Sequence, residues 1–245
     1  MFDDSKFCYW KSLSNYESQW YTTDNESNYQ NNLKLKYDEL QYHEWIDSSF
    51  IYKFNSHGFR CPEFTNNNTI MFLGCSFTMG VGLPEDKSFP YMVSQQLNLN
   101  YANLGVAGSS ADTAFRLSQI YLSKLQPKIV VSTLLFPERL ELLSYDSAYS
   151  FTPNTKSKTA TLKNYHAEYY KTWLQQKENA EINFIKNQLA ITQSCNEYNV
   201  KHIILTMEDC KDFLFVGQKY SKARDLKHPG FLTHQHVSQL ILNQL

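Results

Sequence analysis

Thr69-Ile70-Met71-Phe72-Leu73-Gly74 runs directly into Cys75-Ser76-Phe77-Thr78-Met79-Gly80-Val81-Gly82. The first six residues read as a short buried strand, because the run is apolar, four to eight residues long and closed by a turn-forming glycine. A serine just past a strand end, bracketed by glycines, can point its hydroxyl into the crevice above the sheet. The glycines permit tight turning and close approach of a ligand. Read alone, Ser76 fits equally the commoner role of a cap or turn residue.

Outward from this stretch the pattern alternates. A helix is predicted over 87–97, with Pro90 tolerable only in its first turn. A second strand follows at Asn100–Gly105, then a helix at Ala111–Leu125 with Ala114, Leu117, Ile120, Tyr121 and Leu125 at helical spacing. Residues 128–135 form the clearest buried strand. Residues 144–163 are one long breaker segment around Pro153, read as a loop and a candidate lid. A long helix over 165–198, in one or two pieces, precedes a strand at 201–207, a turn at His228-Pro229-Gly230 and a helix over 231–245. Strands separated by helices predict an α/β fold with a mainly parallel sheet and helices on both faces. In such folds chemistry gathers at the carboxyl ends of the strands.

The division expected is an aromatic-rich N-terminal extension at 1–68, packed on a domain at 69–245. Three of the 4 tryptophans (Trp10, Trp20, Trp45) fall in the extension. Its rings, with Tyr9, Tyr21 and Tyr52, read as cover for the sheet edge and core, a substrate wall being the bolder alternative. The 245 residues carry 23 Lys+Arg against 24 Asp+Glu, for a formal net charge of −1. This balance lacks the basic surplus of a nucleic-acid binder. The 42% hydrophobic and 15% aromatic content excludes a disordered chain. No basic-then-apolar leader opens the sequence, and no run approaches the roughly 20 residues of a membrane span. A cytoplasmic protein is therefore expected, free or within a larger assembly such as a virion. The 5 cysteines are scattered and form no CxxC pair, so free thiols are expected. The oligomeric state is open.

Two further segments carry chemistry. Asn103-Leu104-Gly105-Val106-Ala107-Gly108-Ser109-Ser110-Ala111-Asp112 could donate a backbone N–H into the crevice, or be a plain strand-to-helix turn capped by Asp112 or a serine. In Arg224-Asp225-Leu226-Lys227-His228-Pro229-Gly230, a carboxylate three residues before an imidazole can bond one ring nitrogen and leave the other as a base. Joined to Ser76, the pair completes nucleophile, base and orienter.

These blocks, in this order and separation, resemble the SGNH (GDSL-type) hydrolases. Gly74-Cys75-Ser76-Phe77-Thr78-Met79-Gly80 is similar to the first block of that family, with Cys75 where Asp is more usual. Asn103 through Gly108 is similar to the second and Asp225 through Gly230 to the last. Asn55-Ser56-His57-Gly58-Phe59-Arg60 resembles an Asn-x-x-Gly-Phe-Arg segment of some bacterial and phage members. The resemblance implies a flavodoxin-like three-layer fold and serine esterase chemistry without cofactor, on O-acyl (O-acetyl included) esters of a carbohydrate or small molecule. It implies Ser76 as nucleophile, His228 as base and then acid, Asp225 as orienter, and the N–H groups of Ser76 and Gly108 as oxyanion donors.

One block departs. Where the family's third block places an oxyanion-binding Asn, this chain reads Leu134-Leu135-Phe136-Pro137-Glu138-Arg139-Leu140. Pro137 has neither N–H nor side-chain donor. The hole then runs on two backbone donors, or takes support from Asn103 or Arg139, or is disabled. For Arg139 the bland alternative is a surface ion pair with Glu138 or Glu141. Cys75 as nucleophile and His234 with His236 as metal ligands are set aside, the first as buried packing, the second for want of a nearby carboxylate or Cys partner. An acyltransferase using the same serine, and a non-catalytic binding protein on the same fold, stand as alternatives.

Overall fold

The computed structural model describes residues 11–66, 68–143, 148–152, 164–174, 176–214 and 221–245. Tyr9, Trp10 and most of the 144–163 segment lie outside them. Two short strands, β1 (Glu17–Ser18) and β2 (Tyr52–Lys53), pair antiparallel around helices α1 (Glu26–Leu35) and α2 (Tyr37–Tyr42). The sheet proper comprises β3 (Thr69–Gly74), β4 (Asn100–Gly105), β5 (Ile129–Leu134) and, after a separate hairpin, β8 (Lys201–Thr206). Its order is β4-β3-β5-β8, all parallel.

Every residue of β3 is buried, as a central parallel strand covered on both faces requires. Fully burying each large apolar side chain there contributes about 1.5–3 kcal/mol. Helices α3 (Ser76–Met79) and α4 (Phe89–Leu97) follow β3, and α5 (Ala111–Leu125) follows β4. The chain moves outward from β3 to β4 and then returns past β3 to β5, so right-handed crossovers put α4 and α5 on opposite faces. The result is a three-layer α/β/α sandwich of flavodoxin-like order, and its topological switch point lies at the carboxyl end of β3. Ser76 begins α3 at that point.

The helix expected over 87–97 starts at Phe89, since Pro90 falls in its first turn and Ser88 is extended at its N-cap. The 165–198 helix is two, α6 (Asn164–Leu174) and α7 (Lys177–Glu197), with Gln176 extended at the N-cap of the second. The breaker segment holds a strand that sequence reading missed. Residues of β7 (Ala148–Phe151) pair antiparallel with β6 (Leu140–Leu143), and Phe151 is buried against Tyr170 of α6. Strand β8 ends one residue early, because α8 (Met207–Leu214) begins at Met207, and α9 (Phe231–Leu242) closes the chain. Helix α5 buries the five residues whose spacing predicted it. Among the described residues no helix is long and apolar enough to cross a membrane.

The N-terminal rings fill space. Trp45 and Tyr52 are buried, in small clusters with Leu83, Ala223 and Val81. Trp20 lies under the Arg224 guanidinium, 4.3 Å from its ring centroid.

Candidate active site

Ser76 stands at the first position of α3, with buried Cys75 extended at the N-cap. Its neighbours Phe77, Thr78 and Met79 are buried while Ser76 is half-buried. The serine therefore meets the crevice where the residues beside it meet the core. Helix α3 ends after one turn at Gly80, whose φ of +76° closes the C-cap. Arg60 grips the chain that follows, Nη1 donating to Gly80 O and Nη2 to Leu83 O, both at 2.6 Å. At Gly82, φ is +82° and a Cβ would lie 2.6 Å from the Ala223 Cβ. Only glycine lets the loop of Asp225 approach this closely.

That loop is a turn-rich segment leading into α9, not the end of a sheet strand among the described residues. Arg224 N donates to Gly82 O at 3.0 Å, and Ala223 N to His228 O at 2.9 Å. His228 Nε2 lies 2.8 Å from Ser76 Oγ, and His228 Nδ1 lies 2.6 Å from Asp225 Oδ2. The side chain of His228 is 18% exposed and that of Asp225 is fully buried, so the imidazole can reach a ligand and the carboxylate cannot. Burial pushes the Asp225 carboxyl up. The His228 ring N–H and charge, the Thr23 hydroxyl and the His228 backbone N–H outweigh burial and hold it down at about 2. An ionised carboxylate can only accept, so Nδ1 carries the proton and Nε2 accepts from the serine hydroxyl. Nε2 is within reach to remove that proton as Oγ attacks an electrophile.

Gly108 sits in the β4–α5 loop with φ +77° and nothing within 4 Å of where a Cβ would be. The loop is tied to the end of β3 by Val106 N and Ser109 Oγ, each donating to Gly74 O at 2.9 Å. The N-cap of α5 is Ser110, in a capping box with Thr113. Asp112 instead bridges α5, α7 and β6, accepting from Asn183, Asn187 and Glu141 N.

Asn103 is buried and braces the strand end: Nδ2 donates to Thr78 O at 2.9 Å and Oδ1 accepts from Gly105 N at 3.0 Å. Arg139 donates to Ser109 O at 3.3 Å and lies 3.8 Å from the Phe136 ring centroid. It therefore touches the loop that carries Gly108. Glu141 is held not by Arg139 but by Arg116, in a bidentate pair at 2.8 Å. Pro137 occupies the turn between these residues, where Arg139 N donates to Phe136 O.

His234 turns inward from α9 and accepts Phe89 N–H on Nδ1 at 3.0 Å, packed between Phe77 and Phe89. Burial drives its pKa down to about 3, so it is a neutral core residue. His236 faces solvent on the same helix. Among the described residues no group of three His, Cys, Asp or Glu could hold a metal ion.

Sequence reasoning missed the support from the N-terminal segment. Asp24 pairs with Arg224 through Nε at 3.0 Å and Nη2 at 2.8 Å, both side chains 1% exposed. Tyr52 links this pair to the loop after Ser76, donating to Asp24 Oδ2 at 2.6 Å and accepting Gly82 N–H at 2.7 Å. Only Arg60, inside the Asn55–Arg60 block, had a signal.

No family model and no curated protein matches the chain. Among solved structures the chain is similar to an acetyl xylan esterase from the rumen bacterium Butyrivibrio proteoclasticus, at 15% identity and TM-score 0.39, over 81% of this chain and 66% of that one. It is similar to a psychrotrophic esterase from Pseudoalteromonas sp., at 13% identity and TM-score 0.37, over 72% and 96%. A member of the lipolytic G-D-S-L family from Veillonella parvula is similar at 16% and 0.35, over 71% and 96%. Likeness of this size does not transfer an activity from one chain to another.

Proposed function

We propose that this chain is a serine esterase of the SGNH type, hydrolysing O-acyl esters, O-acetyl groups among them, of a carbohydrate or small molecule. The observation that carries it is the unbroken contact chain from Ser76 Oγ to His228 Nε2 and from Nδ1 to Asp225. Ser76 Oγ attacks the acyl carbon while His228 takes its proton. The oxyanion is held by the N–H groups of Ser76 and Gly108, each such donor being worth about 2.7–4 kcal/mol in the transition state. The tetrahedral adduct collapses as His228 protonates the leaving alcohol, giving an acyl-enzyme. Water, deprotonated by His228, then releases the acid and frees Ser76.

Two backbone donors suffice in this scheme, and Arg139 beside the Gly108 loop supplies positive charge near the oxyanion in place of the absent Asn. A catalytically silent protein on the same fold is the second reading, favoured by Pro137. A fluorophosphonate probe separates the two without knowledge of the substrate. Covalent labelling of wild type and none of Ser76→Ala is expected, together with Ser76-dependent release of p-nitrophenol from short-chain esters. Absence of labelling, or equal labelling of both proteins, would overturn the esterase.

A further inference from the structure

We infer that Thr23, some 200 residues from the loop it touches, is a positioning residue that fixes the Asp225 carboxylate and through it His228; this rests on the esterase reading above. A carboxylate offers about four lone-pair sites. Asp225 Oδ1 accepts from Lys227 N at 3.0 Å and His228 N at 2.9 Å, and Oδ2 accepts from His228 Nδ1 at 2.6 Å. Thr23 Oγ1 donates to the same Oδ2 at 2.6 Å. It fills the fourth site, and it is the only side chain besides His228 among these four donors. It also lies 3.4 Å from Nδ1, so it flanks the imidazole as well as the carboxylate. Three of the donors belong to the loop and move with it. Thr23 comes from outside and ties the rotation of the carboxylate to the rest of the molecule.

A second observation is independent of these bonds. Thr23 stands on a tight turn closed by Tyr21 N to Asp24 O at 2.7 Å and Asp24 N to Tyr21 O at 3.1 Å. Within it Thr22 has φ +53°, a left-handed conformation that a β-branched residue adopts only under constraint. Such conformations persist where surroundings over-determine them, and they cluster at functional sites. Here Asn25 Nδ2 donates to Thr22 O at 2.9 Å and Asn28 Nδ2 to Thr23 O at 2.8 Å, holding the turn from α1. The next residue, Asp24, pairs with Arg224, the residue before Asp225. Two adjacent residues thus grip two adjacent residues. Asp24–Arg224 anchors the loop, and Thr23–Asp225 orients the acid.

The test compares wild type, Thr23→Val, which keeps the shape and removes the donor, and Thr23→Ser, which keeps the donor. Fluorophosphonate labelling rate against pH is measured beside the proton resonance of His228 Nδ1–H, a readout that exists whether or not the protein is an esterase. Thr23→Val is expected to label about tenfold more slowly with unchanged KM on any ester turned over, and to shift or broaden the Nδ1–H signal. Thr23→Ser is expected to restore both. Thermal unfolding shows whether each variant is folded, and Thr23→Ser keeps the test decisive should Thr23→Val fail to fold. Wild-type rate and an unchanged resonance in Thr23→Val would overturn the positioning role. A wild type that never labels, with the resonance still sensitive to Thr23→Val, would instead overturn the esterase and leave the brace standing.

Discussion

The two walls of the crevice are each held by a buried bidentate arginine, in different ways. On the His228 side, Arg224 pairs with Asp24 across 200 residues. On the opposite side, Arg116 of α5 pairs with Glu141 of β6 across 25, both side chains 4% exposed or less. The first clamp joins the loop bearing Asp225 and His228 to the N-terminal segment, and Tyr52 and Thr23 extend it to Gly82 after Ser76 and to the Asp225 carboxylate. The second joins two neighbouring elements and fixes the β6–β7 hairpin beside the Gly108 loop. A wall that must hold an imidazole within hydrogen-bond reach of a serine is built from distant chain. A wall that only borders the site is built from adjacent chain.

Deleting each arginine tests this contrast most strongly. Arg224→Ala and Arg116→Ala each leave a buried carboxylate unpaired, and each is expected to lose about 3–5 kcal/mol in urea unfolding. Only Arg224→Ala, in the fraction that remains folded, should also lose fluorophosphonate labelling, because its clamp positions His228. Equal loss of labelling in both variants would erase the distinction between the walls.

Acid acts on the wall that carries Asp225. The Asp225 carboxyl is held at about 2 against an ordinary 3.8. Its folded pKa is depressed, so the stabilisation of about 2 kcal/mol is present above pH 4 and is lost as pH falls towards 2. Unfolding free energies measured at pH 5 and pH 2.5 should reveal the drop, and Asp225→Asn should flatten it. A drop of equal size in Asp225→Asn would place the titrating group elsewhere.

The smallest effect belongs to Arg139. Its half-buried contacts, one carbonyl at 3.3 Å and the Phe136 ring, predict a stability change of about 1 kcal/mol or less for Arg139→Ala. A several-fold slowing of ester turnover beside that small stability change would mark it as a charge acting on the oxyanion. Unchanged turnover would reduce it to a loop brace.

Where the sequence could be read, the signal was local. Strand β4 falls at the predicted residues, and α5 buries the residues whose 3.6-residue spacing predicted it. The Gly-Ser turn after β3 and the Asp-x-x-His spacing were equally visible, since both are fixed within a few residues. Strand β7 was hidden in the segment read as one long breaker, and its Phe151 is buried against Tyr170 of α6, which follows later in the chain. The alternative of an Arg139 ion pair with Glu141 falls for a related reason. Arg139 is near in sequence, but helix α5 delivers Arg116 to the same carboxylate in the buried layer.

The sequence by itself determined that an apolar strand of a mainly parallel sheet ends in a glycine-flanked serine, and that an Asp-x-x-His loop precedes the last helix. Periodicity, turn chemistry and short spacing suffice for that, because each is decided by neighbours along the chain. Only the tertiary structure decided that Ser76 and His228 meet at 2.8 Å, that Thr23 and Asp24 grip Asp225 and Arg224, and that Asn103 braces a strand end. Those contacts join segments up to 202 residues apart. No local propensity encodes them, and they exist because Trp45 and Tyr52 pack against Leu83, Ala223 and Val81, which brings the N-terminal segment to the loops of Ser76 and Asp225.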